Sequence, residues 1–166
     1  MRNLFVALVL LLNTVIRSYH GSLLIWNLAS FIPHPAFMNC NRTWNVMSWN
    51  VRGINSEWKW DPIKNKIANS LCDIICLQET KRDSFDALFL KKFCPQYIDD
   101  FVFLPSNGNS GGILVAWNSN LFEGELIFFN GFATSVQFWS KHDGTSWIVT
   151  CVYGPCTPNG KNAFLD

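Results

Sequence analysis

The chain has 166 residues, of which 49% are hydrophobic, 15% aromatic and 15% charged, with a formal net charge of +1. It is too apolar for a disordered segment, lacks the periodic glycine of a fibrous protein, and is too evenly charged for a histone-like or acidic-tail protein. At most one domain is expected, and 8 Trp and 14 Phe must either build a wide core or leave apolar surface uncovered.

The first 43 residues contain Arg2, Arg17 and Arg42 and no acid, so residues 44–166 are mildly acidic on balance. The apolar run Leu4 to Leu12 falls short of the roughly 20 residues of a membrane span and has the length of a secretory h-region. Arg17, Tyr19 and His20 follow it, where a small-x-small cleavage site is wanted. A second apolar patch, Leu23 to Phe31, ends at Pro33-His34-Pro35, and Asn41-Arg42-Thr43 would be a glycosylation sequon in a secreted chain. Residues 1–43 are therefore an apolar leader, either signal-like or a non-functional extension, ahead of a domain spanning 44–166.

From Trp44 to Val51 the chain reads as a strand. Asp61-Pro62 starts a helix, with Ile63, Ile67 and Leu71 on one face. Asp73 to Leu77 is a buried strand delivering Gln78-Glu79-Thr80-Lys81 at its carboxyl end. Asp83 or Ser84 caps a second helix with Phe85, Leu88 and Phe89 inward, ending before Pro95. Strands follow at Phe101–Leu104, Ile113–Trp117, Leu121–Phe129, Phe132–Trp139 and Trp147–Tyr153. Between them lie turn signals, among them Asn130-Gly131, the strongest short-range mark of a hairpin. This order predicts an α+β fold, a mainly antiparallel sheet with helices on one face. Such a sheet by itself carries no function.

The six cysteines form no Cys-x-x-Cys and no cluster with histidine at zinc spacing. Cys72, Cys76 and Cys151 lie in apolar runs and read as small buried hydrophobes. Eight basic residues between Arg52 and Lys92 make a local patch within a domain that is not basic as a whole.

Two polar clusters end the first two strands, Ser48 to Asn55 and Leu77 to Lys81. A carboxylate and an amide at the ends of neighbouring strands can share a crevice. Magnesium is usually held by one or two carboxylates together with substrate phosphates and waters. From the residues alone, Glu79 is a candidate metal ligand or a solvated strand end, and Asn50 either orients a phosphate, a water or Glu79, or ties the strand ends together.

Four ordered motifs, Ser48-Trp49-Asn50-Val51-Arg52-Gly53, Asp73 to Lys81, Ser110-Gly111-Gly112 to Trp117, and Val152-Tyr153-Gly154-Pro155, resemble the N-terminal half of the endonuclease/exonuclease/phosphatase superfamily, the DNase I-like and AP-endonuclease-like enzymes. Their wording is most similar to the endonuclease domain of plant LINE-type non-LTR retrotransposons. The resemblance implies the N-terminal part of a four-layer α/β/β/α sandwich and metal-assisted phosphodiester hydrolysis with magnesium or manganese, with DNA as the partner. It also implies that Asn50 holds the scissile phosphate and the Glu79 network, that Glu79 binds the metal, and that Tyr153 contacts the phosphate or stabilises the leaving group. Lys81 and Arg52 would lie along the nucleic-acid backbone. Arg52 stands where abasic-site repair relatives carry Asp, which points to the retroelement branch.

The family's later Asp-x-Asn and Asp-His motifs have no match after Pro155, and none of His20, His34 and His142 suits the catalytic histidine. The expectation is a truncated nuclease, weak or inactive alone and prone to self-association through exposed apolar surface. The alternatives are a catalytically dead binding remnant and a secreted or membrane-associated nuclease-like protein. Location would be nuclear for a retroelement-derived protein and secretory only with a true signal. Superfamily substrates also include RNA and phosphorylated sugars and lipids.

Overall fold

Alternation of side chains along β-strands divides this chain's apolar residues between two cores. In a computed structural model, residues 44–108 and 110–154 are described, with the backbone of residues 7–11 and 23–27. The strands are β1 (Ala7–Leu11), β2 (Leu23–Asn27), β3 (Asn45–Asn50), β4 (Ile74–Gln78), β5 (Asp100–Asn107), β6 (Ser110–Trp117), β7 (Phe122–Phe129), β8 (Ala133–Ser140) and β9 (Ser146–Val152). The helices are α1 (Trp60–Asn69), preceded by a 3-10 turn at Glu57–Lys59, and α2 (Ala87–Phe93). One sheet runs β2-β3-β4-β6-β5 and the other β1-β9-β8-β7.

Val46, Ile74, Cys76, Ile113, Val115 and Trp117 turn from the first sheet toward Phe122, Val136, Phe138, Trp147, Val149 and Cys151 of the second. Their neighbours Met47, Ile75, Leu77, Leu114 and Ala116 pack on Ile63 and Ile67 of α1 and Phe89, Leu90 and Phe93 of α2. Strands buried on both faces read as continuous apolar runs, and β4 is buried at all of its residues. The described residues thus form three layers, a helix pair, a five-stranded sheet and a four-stranded sheet, an α+β arrangement consistent with the α/β/β part of the expected four-layer sandwich.

Several boundaries differ from the sequence reading. Asp86, rather than Asp83 or Ser84, caps α2, its Oδ1 accepting the Phe89 N–H at 2.7 Å. That shift turns Leu90 and Phe93 inward and leaves Leu88 exposed. Helix α1 starts at Trp60, with Asp61 and Pro62 in its first turn, and Leu71 falls beyond its end with φ +50, also exposed. The Asn130-Gly131 hairpin forms between β7 and β8, and the Asn130 Oδ1 accepts the N–H groups of Phe132 and Ala133 at 2.8 Å each.

Residues 7–11 pair parallel to β9, and residues 23–27 pair antiparallel to β3. Neither pairing is legible in the sequence, where both segments fall inside the apolar leader. Cys40, Cys156, His20, His34 and the Asn41 sequon lie outside the described residues, whereas Cys72, Cys76, Cys94 and Cys151 are buried thiols.

The inter-sheet core is aromatic. Phe122 meets Trp44 edge-on at 4.9 Å and Trp147 at 5.3 Å, and Trp117 meets Phe138 at 5.2 Å. Gly124 on β7 leaves room for these rings, since a Cβ there would lie 2.6 Å from Trp117 Cζ2 and 3.0 Å from Phe138 Cε1. Gly131, in the hairpin turn, has open space around it. Gly124→Ala is therefore expected to lower the unfolding free energy by about 1–3 kcal/mol through overpacking, while Gly131→Ala stays within about 0.5 kcal/mol of wild type. Urea denaturation of the two variants checks this, and equal midpoints would contradict the packing described.

Candidate functional site

Strands β3 and β4 run parallel in register, with Asn50 opposite Gln78. Their pairing continues past both strand ends: the N–H groups of Val51, Gly53 and Ile54 donate to the carbonyls of Gln78, Glu79 and Thr80 at 3.0, 2.6 and 3.1 Å. From the other side, Thr80 and Lys81 donate to Gly112 and Gly111 at 3.1 and 3.0 Å. Two irregular segments and the start of β6 are thereby stitched together at one end of the five-stranded sheet.

The stitching forces unusual backbone. Arg52, Glu79 and Lys81 have φ of +50, +55 and +54, and Gly53, Gly111 and Gly112 are also left-handed. Left-handed conformation costs a residue with a Cβ roughly 1–2 kcal/mol. It turns the Glu79 and Lys81 side chains to meet as an ion pair at 3.2 Å, with buried Thr80 between them. Gly112 is sterically required, because a Cβ would collide with Thr80 Oγ1 and crowd Lys81 N.

All five sequence candidates come from this end of the molecule. The Asn50 Oδ1 accepts the Arg52 N–H at 3.1 Å, so that its amide ties the loop carrying Arg52. Arg52 is exposed, and the side chains of Glu79 and Lys81 are 20% and 37% accessible. Tyr153 follows β9 in the other sheet, half-buried against the inter-sheet core, its N–H donating to Phe132 O at 2.8 Å. The two sheets meet beneath it: buried Gln78 Nε2 donates to Ser48 Oγ at 2.7 Å and to Cys151 Sγ at 3.4 Å. Contact with Cys151, then burial, pushes the Cys76 thiol well above its ordinary range, so it stays protonated. His142 lies in the turn joining β8 to β9, at the opposite end of that sheet from Tyr153.

Sequence reasoning missed the residues that brace the site. Lys59 Nζ donates to the carbonyls of Arg52 and Gly53 at 2.9 and 2.8 Å. Burial and then the charge of Lys81 lower its pKa, and Glu79 opposes the shift. Asn55 Nδ2 donates to Lys81 O at 2.7 Å, and its Oδ1 accepts from Arg82 Nη1 at 3.2 Å. Arg82 itself lies 3.6 Å over the Phe89 ring. The usable signal was the basic residue four positions after Asn55, outside any helical or strand periodicity. Among the described residues no group of three or more His, Cys, Asp or Glu could hold a metal ion.

Residues 47–155 match the Endonuclease/Exonuclease/phosphatase family. The chain belongs to this family. Its fold is similar to the crystal structure of the AP endonuclease LMAP from Leishmania major, with 16% identity and a TM-score of 0.53 over 68% of this chain. The chain spans 40% of that structure's length, and at this identity the likeness speaks to the fold alone. No curated protein matches the chain. Membership gives the arrangement a nuclease/phosphatase-family context, and the left-handed residues Arg52, Glu79 and Lys81 fall within the matched range.

Arg52→Gly relieves one left-handed position and is expected to raise stability by about 0.5–1 kcal/mol, measured by urea denaturation. A destabilised variant would show that the Arg52 side chain, rather than its backbone, holds the loop.

Proposed function

We propose that this chain carries the phosphate- and metal-binding side of a retroelement-type DNA endonuclease site, with little or no turnover of its own. The observation that carries the reading is the concentration of strain: Arg52, Glu79 and Lys81 are three of the four non-glycine residues with positive φ among the described residues. Strain of this kind persists where surrounding structure over-determines it, and it clusters at functional sites.

Glu79 suits a hard divalent ion, magnesium or manganese. It is a partly accessible carboxylate whose ion partner is Lys81, and such ions complete their shells with waters and phosphate oxygens. Once bound, the ion would polarise a phosphoryl oxygen and activate water. The remaining tasks fall to the chain itself. Arg52 and Lys81 neutralise backbone phosphates, Asn50 and Lys59 hold the Arg52 loop, and Tyr153 contacts the phosphate or the leaving group. Hydrolysis also requires a positioned base, and His142 is at the wrong end of its sheet to serve. Arg52 in the place of an acid supports the retroelement branch over abasic-site repair.

The pairing of residues 7–11 with β9 and 23–27 with β3 favours a leader retained in the folded protein over a cleaved secretory signal, and the retroelement reading itself implies a nuclear location. The intact mass of the chain recovered from its own cells is expected to include residues 1–22, and their removal would restore the secretory alternative.

The activity test uses supercoiled plasmid with and without magnesium. The chain is expected to bind plasmid at low salt and nick it no faster than Glu79→Ala. Lys81→Met should reduce the salt slope of binding by about 1. Magnesium-dependent nicking lost in Glu79→Ala would show that the chain suffices for catalysis; absence of any nucleic-acid binding would overturn the reading.

A further inference from the structure

Trp58 is 74% exposed, at the centre of the 3-10 turn Glu57–Lys59. An indole offers one of the largest apolar surfaces of any side chain, and leaving it in water forgoes the stabilisation that burial would bring. The turn that carries it is fixed on both sides. Lys59 Nζ is held by the carbonyls of Arg52 and Gly53, and Trp60 Nε1 donates to Ile54 O at 2.8 Å. The Lys59 ammonium lies 5.4 Å from the Trp58 ring centroid, within cation–π range. Trp58 is therefore a π surface on a braced support, beside the loop of exposed Arg52.

The other exposed large apolar residues lack this setting. Leu71 and Leu88 have no ring, and Phe128 and Phe129 lie on β7, the strand that carries Glu123 and Glu125. A ring next to a cationic rim is the combination with which proteins hold single-stranded nucleic acid: cations follow the phosphates and aromatic faces stack on bases, whatever the sequence. A base within an intact duplex presents no free face.

We infer that Trp58 is a base-stacking subsite that selects nucleic acid with an unpaired base next to the phosphate held by Arg52 and Lys81. This rests on the nucleic-acid reading of the same site and adds the substrate class, a single-stranded or locally opened strand. Because the Lys59 ammonium is committed to two backbone carbonyls, the stack can form without rearranging the loop.

The test is the affinity of the full chain for oligo-dT, oligo-U and a duplex of matched length, followed by tryptophan fluorescence across a salt series. Trp58→Ala is expected to weaken binding of the single strands by about 5- to 100-fold, with an unchanged salt slope, because no ion pair is removed. Trp58→Phe keeps a ring and should stay within a few-fold of wild type. Lys81→Met should instead lower the salt slope. The exposed position predicts an unchanged urea midpoint for all Trp58 variants, which separates a binding defect from misfolding. The oligo-dT and oligo-U arms distinguish a DNA from an RNA source of the base. Wild-type affinity in Trp58→Ala, with the Lys81 dependence intact, would overturn the subsite and leave the proposed function standing. An equal loss on duplex would overturn the selection for unpaired bases, and failure of the wild type to bind any of the three would overturn both readings.

Discussion

The in-register parallel pairing of β3 with β4 is the constraint from which the rest of the site follows. It places Asn50 level with Gln78 and continues beyond the strands, so the two loops cannot choose their conformations independently. Once Gly53 and Ile54 are bonded to Glu79 and Thr80, left-handed backbone at Arg52, Glu79 and Lys81 is the means of keeping the ladder while turning charged side chains outward. Gly111 and Gly112 close the same ladder from β6, where only a residue without a Cβ passes Thr80.

The aromatic richness of the composition resolves along the same lines. Trp44, Trp117, Phe122, Phe138 and Trp147 fill the space between the sheets, and their edge-to-face contacts add to their area burial. The arrangement carries a polar cost, since the indole N–H groups of Trp117 and Trp147 find no hydrogen-bond acceptor among the described residues. Part of the apolar content stays outside: Leu126 to Phe129 on β7 and Trp58 beside the site are exposed. The opening choice between a wide core and uncovered surface is thus answered by both, at different places.

Much of this was legible in the sequence. The strands from Asn45 onward, the Asn130-Gly131 hairpin, the two helices and the end of the molecule that bears Asn50, Glu79 and Lys81 follow from periodicity, turn chemistry and ordered motifs. What escaped the sequence was what depends on distant partners. A cap two or three residues later than expected rotated α2 and put Leu88 in water, because Asp83, Ser84 and Asp86 lie close together and each can serve as a cap. Lys59 and Asn55 act on backbone carbonyls that only the fold brings near, and backbone acceptors leave no pattern in the residue code. Residues 7–11 and 23–27 are apolar runs whose strand character depends on the edges of β9 and β3 being open to them.

The strand pairings differ widely in the length of chain they close. The β5–β6 and β7–β8 hairpins join neighbours, whereas pairing Ala7 with Ile148 closes a loop of nearly the whole chain. Closure entropy grows with loop length, and topologies rich in distant contacts fold slowly. The two hairpins therefore close at the smallest entropic cost, and the β1–β9 seam closes the longest loop of the three. Until that seam closes, β9 presents an unpaired edge, a template for association with another chain, next to the strand end from which Tyr153 emerges.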